Sequence, residues 1–199
     1  AIGPGISVSA DTKKLMDTLI KTSTTPMVID ADGINSLKGE RAIFSKSKAP
    51  IILTPHPGEM AGLLNPPTPP FSKGRQGGIT VSIQDIERDR INTAISFAKE
   101  TGTFLVLKGV PTIIAEPDGK AYINSTGNPG MASAGTGDVL TGMISGFLSQ
   151  GLSPVHASIL GVYMHGLAGD SAAADKGEHP LIATDIIEKI PSAFKAIIT

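Results

Sequence analysis

The sequence predicts an α/β fold built on a mainly parallel sheet, from three observations. Short uninterrupted apolar runs recur at Met27-Val28-Ile29, Ile51-Ile52-Leu53 and Phe104-Leu105-Val106-Leu107. They are too brief for helices and apolar on both faces, as parallel strands covered on both sides are. Amphipathic helical patterns alternate with them. Each run ends in a polar or glycine-bearing turn, the position at which α/β sheets collect ligands.

In chain order, the first helix is predicted around Leu15, Met16, Leu19 and Ile20, which form one apolar stripe. The first strand runs into Asp30-Ala31-Asp32-Gly33. The second runs into Thr54-Pro55-His56-Pro57-Gly58-Glu59, with Glu59 in the first turn of a helix. Residues Asn65 to Gly78 combine a proline cluster with a Lys/Arg/Gly stretch and have no periodicity, so a solvated loop is expected there. A proline-rich partner motif is the weaker reading. Beyond it, Ser82 and Asp85 have capping-box spacing, and Ile91, Ala94, Ile95 and Ala98 share a helical face. The third strand ends at Lys108-Gly109. Thr112 to Ala115 and Ala121 to Ile123 then flank Pro117-Asp118-Gly119, the pattern of a hairpin. The remainder is helical: Val139, Leu140, Met143, Ile144, Phe147 and Leu148 form a stripe, Gly151 closes that helix, and Ser153-Pro154 opens the next.

Composition narrows the functional classes. The chain has 199 residues, with 17 basic and 18 acidic side chains and a formal charge of −1, so it lacks the basic footprint of a nucleic-acid binder. With no cysteine, it can have neither a disulfide scaffold nor a thiolate metal site nor a cysteine nucleophile. No apolar run reaches the ~18 residues of a membrane span, and the first residues lack the basic start of a signal peptide. A cytoplasmic globular protein is expected. The 23 glycines imply many tight turns, and tight turns beside strands are where phosphates bind.

The most specific stretch is Gly127 to Asp138, which opens an amphipathic helix. A glycine-rich loop entering a helix aims free N–H groups at one point, and the helix dipole adds positive character there. Asp138 is out of place beside an anion unless it acts as a general base on a hydroxyl attacking a phosphoryl group. The alternative is that Asp138 only caps the helix. His56, held between two prolines, is pre-aimed from the second strand end; a structural role is its other reading. Lys108 to Thr112 places a cation and a close-approach glycine at the third strand end, suited to diphosphate, unless Lys108 is simply solvated. Asp30 and Asp32, with Asn35, could support Mg²⁺ through water. Together, three strand ends and one glycine-rich helix start imply a shared crevice.

The segments Ile29 to Asn35, Leu53 to Met60, Leu107 to Thr112, Asn128 to Asp138 and His165 to Asp170 resemble, jointly and in order, the ADP/ATP-dependent NAD(P)H-hydrate dehydratase family. The likeness runs from Gly3-Pro4-Gly5 to Ile187. It implies a ribokinase-like three-layer sandwich forming one domain over residues 1–199. It implies dehydration of hydrated NADH or NADPH at the expense of ADP or ATP, with Mg²⁺. By resemblance, Asp138 is the base, Gly135, Thr136 and Gly137 form the anion hole, and Lys108, Gly109, Val110, Pro111, Thr112 and Gly137 bind the nucleotide. Gly5 and His56, with Asp138, touch the dinucleotide substrate. The family also implies a homo-oligomer, a tetramer in many members, and a fused or separate epimerase.

Three departures stand out. The resemblance places several strands and helices ahead of Ala1, so an N-terminally incomplete chain with an open sheet edge is expected. Ser7 stands where the family repeats glycine, and Asn65 to Gly78 reads as an insertion. Two rival functions use the same residues: a small-molecule kinase of this fold, and a non-catalytic nucleotide-binding module. The residues leave ADP or ATP open as the phosphoryl donor, while the Lys108-Gly109-Val110-Pro111-Thr112 form resembles the ADP-dependent branch of the family.

Overall fold

The computed structural model describes residues 1–65 and 80–198; beyond Asn65, the stretch read as a solvated insertion lies outside them. In chain order the elements are α1 (Ala10–Thr22), β1 (Met27–Ile29), α2 (Ala31–Asn35), a 3₁₀ turn (Arg41–Lys46), β2 (Ile51–Leu53), α3 (Pro57–Leu64), α4 (Ile83–Arg88), α5 (Arg90–Thr101), β3 (Phe104–Leu107), β4 (Ile113–Ala115), β5 (Ala121–Ile123), a second 3₁₀ turn (Pro129–Met131), α6 (Thr136–Ser149), α7 (Pro154–Lys176) and α8 (Ala183–Ile198). The chain divides into two compact units, Ile2–Ala121 and the part from Tyr122 onward.

The sheet order is β1-β2-β3-β4-β5. β1 pairs parallel with β2 and β2 with β3, in registers such as Val28 with Ile52 and Leu53 with Leu105. β4 returns antiparallel to β3, with Val106 opposite Ile114. The Pro117-Asp118-Gly119 turn carries the chain on to β5, with Glu116 N–H donating to Lys120 O at 2.9 Å. Along the outer edge of β1 only Ile2 pairs among the described residues, as an isolated parallel bridge to Ile29. All residues of β1 and β2 are buried, as the unbroken apolar runs require. Around them Met16, Ile20, Ile34, Met60, Leu63, Ile86, Phe97 and Leu105 complete one core.

Two helical stripes are narrower than their sequence pattern. Met16 and Ile20 are fully buried, but Leu15 is 48% exposed; Ala94 and Ala98 are buried, but Ile91 is 41% exposed. The Ser82–Asp85 capping box forms as expected, yet the helix it opens lasts only to Arg88. Asp89 leaves helical geometry (φ −142°, ψ 61°) and its side chain caps a second helix, α5.

In the second unit α6, α7 and α8 pack on one another. Gly161 lets α7 close on α6 at Ile144, whose side chain a Cβ would overlap. The α6 end is a Schellman motif: Gly151 (φ +92°) donates to Leu148 O at 3.0 Å and Leu152 to Phe147 O at 3.3 Å. The cap residue itself is Gln150, one position before the glycine. Ser153 caps α7, with Pro154 at its first position. Among the described residues no helix is long and apolar enough to cross a membrane.

Where α8 begins, the buried Asp185 accepts from Lys176 Nζ and, at 3.0 Å, from the Ile182 amide. The Lys176 bond, and next the Ile182 amide, hold its carboxyl below the ordinary 3.8. A carboxylate whose folded value is depressed stabilises the fold above its unfolded value, and loses that contribution as pH falls through the folded one. Asp185→Asn should therefore lower the unfolding midpoint at pH 7. The gap to the parent protein should close as pH drops below about 3.8, read by urea denaturation across the acid range.

Candidate functional site

Because β1, β2 and β3 are parallel, their C-terminal ends share one sheet edge, and Asp30, Glu59 and Lys108 gather there. Asp30, just past β1, is 1% exposed. Lys108, just past β3, donates to its Oδ1 at 2.8 Å and lies 3.9 Å from Glu59 Oε2. Lys108 is thus not the solvated lysine of the plainer reading; its ammonium is committed to two carboxylates.

His56 and Glu59 close α3 by a reciprocal capping box. His56 Nδ1 accepts from Gly58 N–H at 3.0 Å and Glu59 N–H at 3.3 Å, and Glu59 Oε2 accepts from His56 N–H at 2.9 Å. This fixes the tautomer: Nδ1 carries the lone pair, so the proton sits on Nε2. His56 stays exposed. Its Nε2 lies 3.5 Å from Glu59 Oε1, so the ring serves the α3 start through both nitrogens while one face stays open to solvent.

Backbone strain gathers at the same edge. Gly3 passes so close to Asp30 that a Cβ would overlap the Asp30 carbonyl. Gly5 has φ +72°, and two non-glycine residues are left-handed: Ser7 at φ +65° and Ala31 at φ +47°. The Ser7 amide donates to Asp32 Oδ2 at 2.9 Å, which holds the N-terminal turn over α2. Such conformations persist only where surrounding contacts over-determine them, and they concentrate at functional sites. Asn35 is the half-buried last residue of α2. The set of Asp30, Asp32 and Asn35 does not fit a directly coordinated Mg²⁺, since Asp30 is paired with Lys108 and Asp32 holds an amide. Among the described residues no group of three or more His, Asp or Glu is arranged to hold a metal ion.

The connection after β3 exposes Gly109, Val110 and Pro111, with Thr112 half-buried. Beneath it lies Arg90, which the sequence reading passed over. No local signal marked it: Arg90 becomes the first position of a helix, at the wrong end of the dipole for a cation, only because the chain breaks at Asp89.

In the second unit, α6 begins at a left-handed Gly135 (φ +85°) with no side-chain cap. The amides of Gly135 and Gly137 have no acceptor among the described residues. Thr136 N–H makes only a 3.4 Å contact to Ser133 O, and Asp138 N–H is taken by Gly135 O at 3.1 Å. The Thr136 hydroxyl turns inward, within 2.7 Å of Met131 O and 2.9 Å of Ser133 O. Asp138 is exposed and its carboxylate has no hydrogen bond or ion pair among the described residues, so it does not cap the helix.

The His165 to Asp170 motif in α7 holds the loop that leads there. Asp170 accepts from the Gly127 amide at 2.9 Å and from Asn128 Nδ2 at 2.9 Å. Asn128 in turn accepts from Gly130 N–H at 3.1 Å. At Gly166 and Gly169 a Cβ would overlap Thr126 and Met131, so these glycines let the loop lie on the helix.

A mixed sheet whose first three strands run parallel, followed by a glycine-rich helix start and a helical unit, is the architecture of a ribokinase-like α/β protein. An Enterococcus faecalis protein described as ribokinase-like has a TM-score of 0.69 and is 28% identical, the match covering 98% of this chain and 62% of that one. The model of the NAD(P)H-hydrate dehydratase family matches residues 1–192, and the chain belongs to that family. A bifunctional NAD(P)H-hydrate repair enzyme from Moorella thermoacetica is 44% identical over 191 residues, 96% of this chain and 33% of that protein. An ADP/ATP-dependent NAD(P)H-hydrate dehydratase from Bacillus subtilis, co-crystallised with ATP/Mg²⁺, is 32% identical with a TM-score of 0.83, the match covering 98% of this chain and 64% of that one. The chain thus spans about a third of the bifunctional relative and under two thirds of the solved dehydratase.

Two outcomes follow from the strand-end geometry. Lys108→Ala breaks the ion pair with the buried Asp30 and should destabilise the fold by about 3 kcal/mol, the lower end for breaking a buried pair, measured by urea denaturation. Ser7→Gly keeps the amide bond to Asp32 and removes the left-handed strain. Set against glycine's larger unfolded-state entropy, the net gain should be about 0.5 kcal/mol by the same measurement.

Proposed function

We propose that the protein dehydrates hydrated NADH or NADPH with ADP as phosphoryl donor, releasing AMP and phosphate. Family membership sets the reaction class, and one observation carries the catalytic assignment: Asp138 stands exposed and unpartnered in the first turn of α6, beside the partnerless amides of Gly135 and Gly137.

Asp138, exposed and with no hydrogen-bond partner among the described residues, is available to take the proton from the substrate hydroxyl as that oxygen attacks the terminal phosphoryl group of ADP. The Gly135 and Gly137 amides, with the Thr136 amide, meet the phosphoryl oxygens in flight, and AMP departs. The phosphorylated hydroxyl then leaves as phosphate, taking the C–O bonding pair. The neighbouring ring carbon loses a proton and the double bond is restored. Gly109 to Thr112 receive the nucleotide phosphate through backbone amides, since the Lys108 ammonium is engaged by Asp30. The exposed ring of His56 and the backbone at Gly5 take the dinucleotide substrate. Mg²⁺, where it enters, comes with the phosphates of the nucleotide, which it neutralises.

The test is recovery of absorbance at 340 nm from hydrated NADH with ADP and with ATP. A stable phosphoester product with no recovered NADH would mark a kinase, and ADP binding without turnover a non-catalytic module. Asp138→Asn should preserve the fold and bind ADP at least as tightly, while lowering turnover about 10²- to 10⁴-fold. Near-normal turnover in that variant would remove Asp138 as the base.

A further inference from the structure

Arg90 is a charged side chain in a place where local rules argue against one. It occupies the first position of α5, next to the positive end of the helix dipole, and it is 8% exposed. The break at Asp89 puts it there, directing the guanidinium under the connection between β3 and β4. Its Nη2 lies 3.1 Å from Leu107 O, 3.0 Å from Lys108 O and 3.0 Å from Pro111 O, and Nη1 donates to Glu87 at 2.8 Å. Its Nε is buried with no partner among the described residues, so the guanidinium leaves one of its own donors unsatisfied while it serves the loop.

The consequence follows from peptide geometry. In a planar trans peptide the C=O and N–H point in opposite directions. The three carbonyls drawn onto Arg90 therefore turn the amides of Lys108, Gly109 and Thr112 away from it. The Lys108 amide pairs with Pro55 O at 2.9 Å. The Gly109 amide has only a 3.4 Å contact to Thr112 Oγ1, and the Thr112 amide has no acceptor among the described residues. Two amides are left facing outward, and a buried positive charge lies behind the carbonyl ends of their dipoles. Gly109 has to be glycine here: its φ is +150°, and a Cβ would overlap the guanidinium.

We infer that Arg90 is the positioning residue of this loop, shaping Gly109 to Thr112 into an anion-binding turn for the phosphates of a nucleoside diphosphate. The inference rests on the reading of that loop as the nucleotide contact. It assigns the loop's anion affinity to a residue that touches no ligand, and it relieves Lys108 of that duty.

Amide hydrogen exchange, ADP calorimetry and steady-state kinetics on the full chain test it, with Arg90→Gln and Arg90→Lys. In the parent protein, ADP should slow exchange at Gly109 and Thr112. In Arg90→Gln, exchange there should quicken without ligand. The Kd and KM for ADP should rise about tenfold, the scale of one charge-assisted hydrogen bond, while kcat stays within about threefold. Arg90→Lys, which keeps the charge but not the planar fork, should fall between the two. No ADP protection at Gly109 and Thr112 in the parent protein would overturn the nucleotide reading, and the inference with it. Protection there, with unchanged Kd and KM in a folded Arg90→Gln, would overturn the inference alone. If Arg90→Gln does not fold, Glu87→Ala, which frees only Nη1, takes its place; quicker exchange and weaker ADP binding would support the inference, and parent-like values would overturn it.

Discussion

A carboxylate buried at the end of a strand needs a cation, and much of the first unit is arranged around satisfying that need. Asp30 is 1% exposed, and its cation comes from Lys108, 78 residues further along the chain. The pair joins the ends of β1 and β3 across β2. Lys108 is also 3.9 Å from Glu59, whose own carboxylate caps His56, so β2 is drawn into the same network. A one-residue shift of β1 or β3 would invert its side chains and break the Asp30–Lys108 pair. The ion pair therefore acts as a register lock on short strands of three or four residues, too short to fix their alignment by backbone pairing alone.

What the sequence revealed and what it concealed divide along the range of the interaction. The strands β1, β2 and β3 begin and end where the apolar runs do, because a strand buried on both faces is a local composition signal. The Ser82–Asp85 box, the Ser153-Pro154 start and the glycine after α6 were equally legible, since capping is decided within a few residues. The division of one helical pattern at Asp89 was not. The apolar stripe through Ile91, Ala94 and Ile95 continues in sequence, but Arg90 must reach the β3–β4 connection, a demand that arises only in three dimensions. The exposure of Leu15 and Ile91 has the same origin: periodicity marks a face, while the partner's extent sets how much of that face is covered.

The site shows the same division more sharply. The glycine-rich start of α6 is visible in sequence, yet three of the glycines before and behind it do different jobs. Gly135 supplies a left-handed cap, whereas Gly166 and Gly169 make room for Thr126 and Met131 to lie on α7. Asp170 then ties the loop down through Gly127 and Asn128. The motif His165 to Asp170 matched the family as a string, but its role as the loop's seat comes from contacts 42 and 43 residues apart. Ser7 shows how such a seat tolerates an unfavourable residue. Its left-handed backbone is held because the Asp32 carboxylate accepts its amide, so one hydrogen bond offsets part of the strain that glycine would avoid.

Asp30 and Asp138 make the final point, because by local sequence they are alike. Each is an aspartate at the junction of a turn and a helix, where a cap is the ordinary expectation. Neither side chain caps. Asp30 is buried and paired, so its charge serves to hold strand ends and is unavailable to a substrate. Asp138 is exposed and unpartnered at a helix start that Gly135 already caps by backbone conformation alone. A helix start that needs no side-chain cap leaves its acidic residue with no structural duty. A carboxylate kept beside partnerless amides, where it would repel any phosphate, has a use in the proposed reaction, in which a hydroxyl must lose its proton. The two residues thus separate by environment rather than by motif, one fixing the frame and the other free to react.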